Sequence, residues 1–240
     1  MDEEPDVAKY LLLSEVYKDT LQPTAKQIGG GLESTIKVLR LLIAPIERLA
    51  IESDRWQHHL KKLSDRVPEE QRIEAHPQIV GPVFEALRYV DESSVLAEMF
   101  INLLARAIDR ERVREAHPAF PKIIAQLSVD EAHILFWLKK DFYIYRQCSS
   151  LDHQSQTFKS IKLLENSFPL NQLIYPENFE IYLDHLHSLN LAGIWQVGNQ
   201  EPIFDKARNI QTGVHIKSHI KLTRFGELFT QACVPNEISS

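Results

Sequence analysis

The stretch Leu127-Ser128-Val129-Asp130-Glu131-Ala132-His133-Ile134-Leu135 decides how this chain divides. Ser128 followed three residues later by Glu131 is the pattern of a capping box, in which side chain and backbone bond reciprocally at a helix start. Ile134 and Leu135 then give the helix an apolar face. We therefore predict a domain boundary here, with one domain at 1–126 and a second at 127–240.

Upstream of the boundary, the sequence favours helices. Pro23, Pro45 and the run Gly29-Gly30-Gly31 interrupt good helix formers and mark breaks between helices. The clearest amphipathic pattern lies between Val95 and Asp109. Its apolar face is formed by Leu96, Met99, Phe100, Leu103, Leu104 and Ala107. The pattern predicts a helical bundle over 1–126.

Downstream of the boundary, a helix from Pro176 is followed by a strand-like run ending at Trp195. A β-branched stretch, 214–222, then leads into a capped closing helix at Thr223. We interpret 148–175 as irregular. This order predicts a winged-helix-like α+β module at 127–240, and the fold class as a whole is expected to be mostly α.

Composition points to an ordinary globular chain. Of the 240 residues, 44% are hydrophobic and the formal net charge is −6. An acidic chain is not built mainly to neutralise phosphates. Cys148 and Cys233 lie far apart, which predicts a reducing compartment and no disulfide framework. Because the first residues are acidic, we expect no secretion signal and a cytoplasmic location.

The sequence carries no motif that indicates catalysis. The run Gly29-Gly30-Gly31 lacks the lysine of a phosphate-binding loop and follows no predicted strand. The histidines have no cysteine or carboxylate at zinc-ligand spacing. His76 and His117, each before a proline, are expected to bond nearby backbone. We predict no catalytic residue, no metal, no cofactor and no enzyme activity.

The segment from Leu32 to Ile51 has more apolar surface than one helix face needs. With three glycines directly before it, the segment is predicted to repack about a hinge. The predicted hinge and amphipathic residues are Gly29, Gly30, Gly31, Leu39, Leu42, Ile43 and Ile46. Its charges make a free-standing membrane span too costly. Contact with a membrane surface after a conformational change remains open.

Nucleic-acid binding is not expected from the helix that would read DNA in a winged-helix module. That helix, 177–190, has Glu177, Glu180 and Asp184 and no lysine or arginine, so it would repel phosphate. Weak nucleic-acid or partner contacts are left open for the presumed wing. Its basic residues are Lys206, Arg208, Lys217 and Lys221.

Several motifs together resemble the Abi-alpha family, the alpha-helical abortive-infection proteins of bacteria. The resemblance rests on Glu15–Asp19, Gly81-Pro82, Glu85–Tyr89, Glu98–Phe100, Asn102–Ala105, Ala116–Pro118, Gln126–Ser128, Asp130–Ala132, Leu222-Thr223 and Phe225-Gly226. It implies a role in phage defence, in which an infected cell stops growing or dies before phage is released. The family supplies no catalytic residues to carry over.

Three functions follow as alternatives. The first is a defence protein acting through protein contacts or self-assembly rather than catalysis. The second is a membrane-active effector that uses the 32–51 helix. The third is a winged-helix transcriptional regulator, for which the acidic helix 177–190 is unfavourable.

Overall fold

The computed structural model describes residues 53–238. Contacts within this part of the chain divide it into two compact units, one covering 53–126 and the other Leu127–Asn236. The units are described separately, with helices numbered from the first one described.

The described part of the first unit contains four α-helices. They are α1 (Ser53–Arg66), α2 (Pro77–Leu87), α3 (Val95–Ile108) and α4 (Phe120–Ile124). Helix α3 packs against the other three. The apolar face expected for it is confirmed, since Met99, Phe100 and Leu103 are fully buried. Helix α3 is therefore the central element of this unit.

Histidines begin two of the helical segments. The Nδ1 atom of His76 accepts a hydrogen bond from the Gln78 backbone N–H at 3.3 Å. The Nδ1 atom of His117 accepts one from the Ala119 backbone N–H at 3.1 Å. Each ring satisfies a backbone donor that a helix start leaves without an intrahelical partner. The expectation that both imidazoles bond nearby backbone is confirmed.

Ion pairs hold the polar side of helix α3. Burial alone would raise the pKa of Glu98, but hydrogen bonds from Lys62 and Arg66 outweigh it and hold that pKa below its ordinary value. Near the other end of the helix, Glu115 pairs with Arg106 at 3.0 Å and with Arg112 at 2.9 Å. These arginines form ion pairs within their own unit.

The second unit begins with helix α5 (Val129–Lys140) and contains a five-stranded antiparallel sheet. The strands are β1 (Tyr143–Asp152), β2 (Thr157–Asn166), β3 (Ala192–Gln196), β4 (Glu201–Asp205) and β5 (Ile210–Leu222). Helix α6 (Phe179–Ser188) precedes β3, and helix α7 (Arg224–Ala232) follows β5. Strand order is β2-β1-β5-β3, and β4 pairs with the first half of β5 on the same side as β3.

The predicted capping box is present at the start of helix α5. Ser128 accepts from the Glu131 backbone N–H, and Glu131 accepts from the Ser128 backbone N–H at 2.7 Å. The buried Glu131 also pairs with His185 of helix α6 at 2.5 Å. The first turn of α5 therefore fixes its own start and the position of α6.

One face of the sheet is buried beneath helices. Tyr145 and Ser149 of β1 lie opposite Ser218 and Val214 of β5, and all four side chains are buried. Helices α5 and α7 pack against β5. Burial and the hydrogen bond to Glu180 raise the pKa of Tyr145, whose hydroxyl donates at 2.7 Å.

The prediction of a mostly α protein, with an N-terminal helical bundle and a winged-helix-like module, is wrong. The described residues form an α+β fold with a five-stranded antiparallel sheet. The error lies in the stretch 148–175, interpreted as irregular, which contains most of the β1–β2 hairpin. The first eight residues of β2 are exposed, so this strand has no buried face to produce an alternating apolar pattern.

The expected strands ending at Trp195 and covering 214–222 are confirmed as β3 and β5. Thr223 caps the closing helix as predicted, since its hydroxyl accepts from the Gly226 backbone N–H at 2.8 Å. Both strands contain buried residues, and this burial explains why their apolar patterns could be recognised in the sequence.

Candidate functional site

The sheet face opposite the buried one, here called the open face, has a row of basic and imidazole side chains. Alternate residues of a strand point to the same face, so His215, Lys217, His219 and Lys221 of β5 form one row. Lys217 and Lys221 are exposed. Among the described residues, no carboxylate lies within ion-pair distance of either lysine. The row therefore presents available positive charge.

Strand β1 adds a third cation to the open face. Arg146 lies directly opposite Lys217 in the β1–β5 ladder. Its Nε atom pairs with Glu165 of β2 at 3.2 Å, and both side chains are about half exposed. An exposed ion pair of this kind contributes little stability, so its partners can exchange at low cost.

Aromatic rings lie beside the cations. Trp195 of β3 is paired with His219 in the ladder, and the Lys221 ammonium is 5.8 Å from the centre of the Trp195 ring. Phe142 stacks on His219 with ring centroids 4.2 Å apart and planes 20° apart. Rings and ammonium groups therefore alternate along this end of the open face.

A trough of about 570 Å³ crosses the open face. Arg146, His215 and Lys217 line it on β1 and β5, and Leu164 and Glu165 line it on β2. Val197, Gly198 and Asn199 of the β3–β4 loop and Glu201 of β4 also line it. The trough is concave, and its polar lining includes both positively and negatively charged side chains.

A second surface lies along β2, at the end of the strand order. Four apolar side chains on this strand are exposed, and together they are called the hairpin edge: Phe158, Ile161, Leu163 and Leu164. Ile161 is the most open of them, with 67% of its surface exposed. Within the described residues, no strand pairs with the outer side of β2.

Two register shifts explain why the hairpin edge is open. The pairing of β1 with β2 is interrupted between Arg146 and Gln147 and again between Cys148 and Ser150. Ser160, in the second interruption, has a positive φ of 55°. Such bulges increase local twist and bend the strand, so the hairpin does not follow the flat surface that helices cover.

The structure separates the residues predicted to make weak nucleic-acid or partner contacts. Lys217 and Lys221 lie together on the open face of β5. Lys206 and Arg208 lie in the turn between β4 and β5, at the opposite end of that strand. The predicted hinge and amphipathic residues from Gly29 to Ile46 lie outside the described residues.

Three groups at these surfaces were not identified from the sequence: Arg146, Trp195 and the apolar residues of β2. Arg146 and Trp195 join the lysines only through strand pairing, which is not local in sequence. A usable signal was present on β5, where four alternate positions from His215 to Lys221 are all basic or imidazole.

Within 53–238, no group of three histidine, cysteine or carboxylate side chains is placed to hold a metal ion. No helix in that part of the chain has the length and apolarity needed to cross a membrane.

A family model described as abortive infection alpha, Abi_alpha, matches residues 49–233. The match covers more than half of the chain and extends through both units. The chain belongs to the Abi_alpha family. The family match confirms the resemblance seen in the sequence. Membership of the Abi_alpha family associates the protein with abortive infection, a form of phage defence. No curated protein and no solved structure matches it.

Proposed function

We propose that this Abi_alpha protein restricts phage through protein–protein contacts made at the hairpin edge, and not by catalysis. The observation that carries the proposal is the exposure of the first eight residues of β2, among them the four apolar residues of the hairpin edge. Family membership supports the defence role.

The hairpin edge combines two features that favour binding to an extended segment of another protein. The outer side of an edge strand presents unpaired N–H and C=O groups that a further strand can bond. The exposed apolar side chains would be removed from water by the same contact, at roughly 25 cal/mol per Å² of apolar surface.

Protection against nonspecific pairing is also visible on β2. Lys159 and Lys162 interrupt the apolar residues, and Ser160 breaks the regular strand geometry. Charged residues and bulges are common means of limiting edge-to-edge aggregation. The hairpin edge is therefore suited to a selected partner, which in this proposal contributes an extended apolar segment.

The test is phage plating on cells that express Ile161→Lys together with Leu163→Lys. The matched control is Ile181→Lys on helix α6, because Ile181 is 65% exposed, close to the 67% of Ile161. Both changes replace exposed apolar surface by charge, so neither is expected to unfold the protein. At equal expression we expect the double variant to lose phage restriction and the control to keep it.

Full restriction by the double variant would contradict the proposal. Equal loss in Ile181→Lys would also contradict it, since the effect would then not depend on β2. Leakage of liposomes by purified protein, with restriction independent of β2, would favour the membrane-active alternative. That alternative depends on the 32–51 segment, which lies outside the described residues.

A further inference from the structure

We propose that the open face binds single-stranded nucleic acid, with Lys217, Lys221 and Arg146 contacting phosphates and Trp195 stacking on a base. This surface shares Leu164 with the hairpin edge but none of the residues named in this proposal, and the inference does not depend on the proposed function.

The charge on the open face differs from that of the whole chain. The formal net charge is −6, yet the side chains from His215 to Lys221 that point to this face include no acid. Lys162, opposite Cys148, is a further cation on the same face. Glu165 and Glu201 are the acids in the trough, and Glu165 is paired with Arg146. A polyanion is therefore the complementary ligand.

The rings favour a single strand over a duplex. Proteins that bind single strands combine a positive groove with aromatic side chains on which bases stack. Trp195 lies in the same row as Lys221, and Phe142 extends the ring surface over His219. Bases in a duplex are stacked on one another, so they cannot use these rings.

The geometry also fits an extended strand. The row from His215 to Lys221 covers seven residues of β5, and the six steps between them span about 20 Å at the usual rise of a strand. The trough lies at the His215 end and the rings lie at the Lys221 end. A backbone lying along β5 from the trough end would meet Lys217, then the ring of Trp195 and then Lys221.

The acidic residues that disfavour nucleic-acid binding in the sequence lie on a helix and not on the sheet. Nucleic-acid binding was not expected from the net charge and from the acidic helix 177–190, which the structure places as α6 (Phe179–Ser188). The open face is formed by the strands of the sheet, and Glu180 of α6 hydrogen-bonds Tyr145 on the opposite, buried face. The repulsion of phosphate expected from α6 therefore does not apply to the open face.

The test measures fluorescence anisotropy of labelled single strands of mixed sequence, about 16 nucleotides long, as RNA and as DNA. A duplex of the same sequence is the comparison. We expect saturable binding of the single strand, weaker binding of the duplex, and a log–log salt slope near −2 for three phosphate contacts. RNA bound more tightly than DNA would identify the natural strand as RNA, and the reverse as DNA.

Charge variants test whether binding depends on the open face or on the total positive charge of the protein. Lys217→Gln with Lys221→Gln should weaken binding and reduce the magnitude of the salt slope by about 1.4. The control, Lys206→Gln with Arg208→Gln, removes the same charge about 23 Å of strand away and should leave the slope unchanged. Trp195→Leu should weaken binding by about 5- to 150-fold, while Trp195→Phe retains most of it.

Three results would overturn the inference. They are no binding of either strand at low salt, equal losses in the two charge variants, and duplex binding as tight as single-strand binding with Trp195→Leu unchanged. Thermal melts of each variant show whether a loss reflects unfolding, and the Trp195→Phe variant keeps the test informative if Trp195→Leu does not fold.

Discussion

Asp130 shows how a single residue of the family motif acts. Its buried carboxylate accepts hydrogen bonds from the backbone N–H groups of Ile174 and Tyr175, at 2.7 and 2.9 Å, and from the Tyr182 hydroxyl at 3.1 Å. These contacts fix the segment before helix α6 against helix α5. The motif residues of Asp130–Ala132 thus have a structural explanation within the second unit.

Replacement of Asp130 by alanine is expected to destabilise the protein by about 3 kcal/mol. Two backbone N–H groups would lose a charged acceptor, and a hydrogen bond to a charged group contributes roughly 1.5–3 kcal/mol. Chemical denaturation measures the effect, with the exposed Asp184→Ala of helix α6 as control. If both variants unfold at the same denaturant concentration as the unmodified chain, Asp130 does not hold the segment.

Asp152, at the end of β1, has a carboxyl pKa of about 2. The main cause is its hydrogen bond with Lys159 across the hairpin, with further bonds from Ser155 and from the Gln154 backbone N–H. Since the folded-state pKa is below the unfolded value of about 3.9, the stabilisation is present above that value. It is lost as pH falls through about 2.

The predicted titration is measurable by NMR of the Asp152 carboxyl carbon. In Lys159→Ala the midpoint should rise towards about 3.9, because the hydrogen-bond donor is removed. In the control Lys162→Ala it should stay near the value of the unmodified chain. A midpoint that does not respond to Lys159→Ala would contradict the assigned cause.

Among the helices and strands, those with a buried face or a capping residue were the ones predicted correctly from the sequence. Helix α3 has a one-sided apolar face, and helix α5 has its capping box, so both were identified from local sequence. Strand β3 begins with buried residues, and β5 contains buried residues and ends at the Thr223 cap. Each of these elements is therefore marked by a pattern among residues that are close together in the sequence.

Strands β2 and β4 leave no such signal. The exposed residues of β2 have no buried face to set a period of two, and Pro202 interrupts the short β4. Strand β2 pairs with β1 and β4 pairs with β5, and the register of both pairings is irregular. Because the β1–β2 hairpin was not recognised in the sequence, the second unit was wrongly predicted to be a winged-helix-like module.

The candidate site was predictable only in part for the same reason. Lys217 and Lys221 were identified because they share a readable strand, but grouping them with Lys206 and Arg208 ignored the length of β5. Arg146 and Trp195 come from neighbouring strands whose register decides which residues meet. Register depends on the whole sheet, so a local pattern does not contain it.

At the scale of the whole molecule, an average charge conceals two different surfaces in the second unit. The chain is acidic overall, yet the open face is basic and the hairpin edge is apolar. The family match supplies the biological setting, which is abortive infection. Contacts at these two surfaces are the proposed means by which the protein acts.

The central claim is that the hairpin edge meets a protein partner during infection. The most direct measurement is photo-crosslinking in phage-infected cells, with the photoreactive residue at position 161 or, as control, at position 181. These positions have nearly equal exposure, 67% and 65%, so chance encounters should label them alike. The account predicts a discrete protein adduct from position 161 and none from position 181. Equal labelling at both positions, or no adduct at position 161 while phage is restricted, would contradict it.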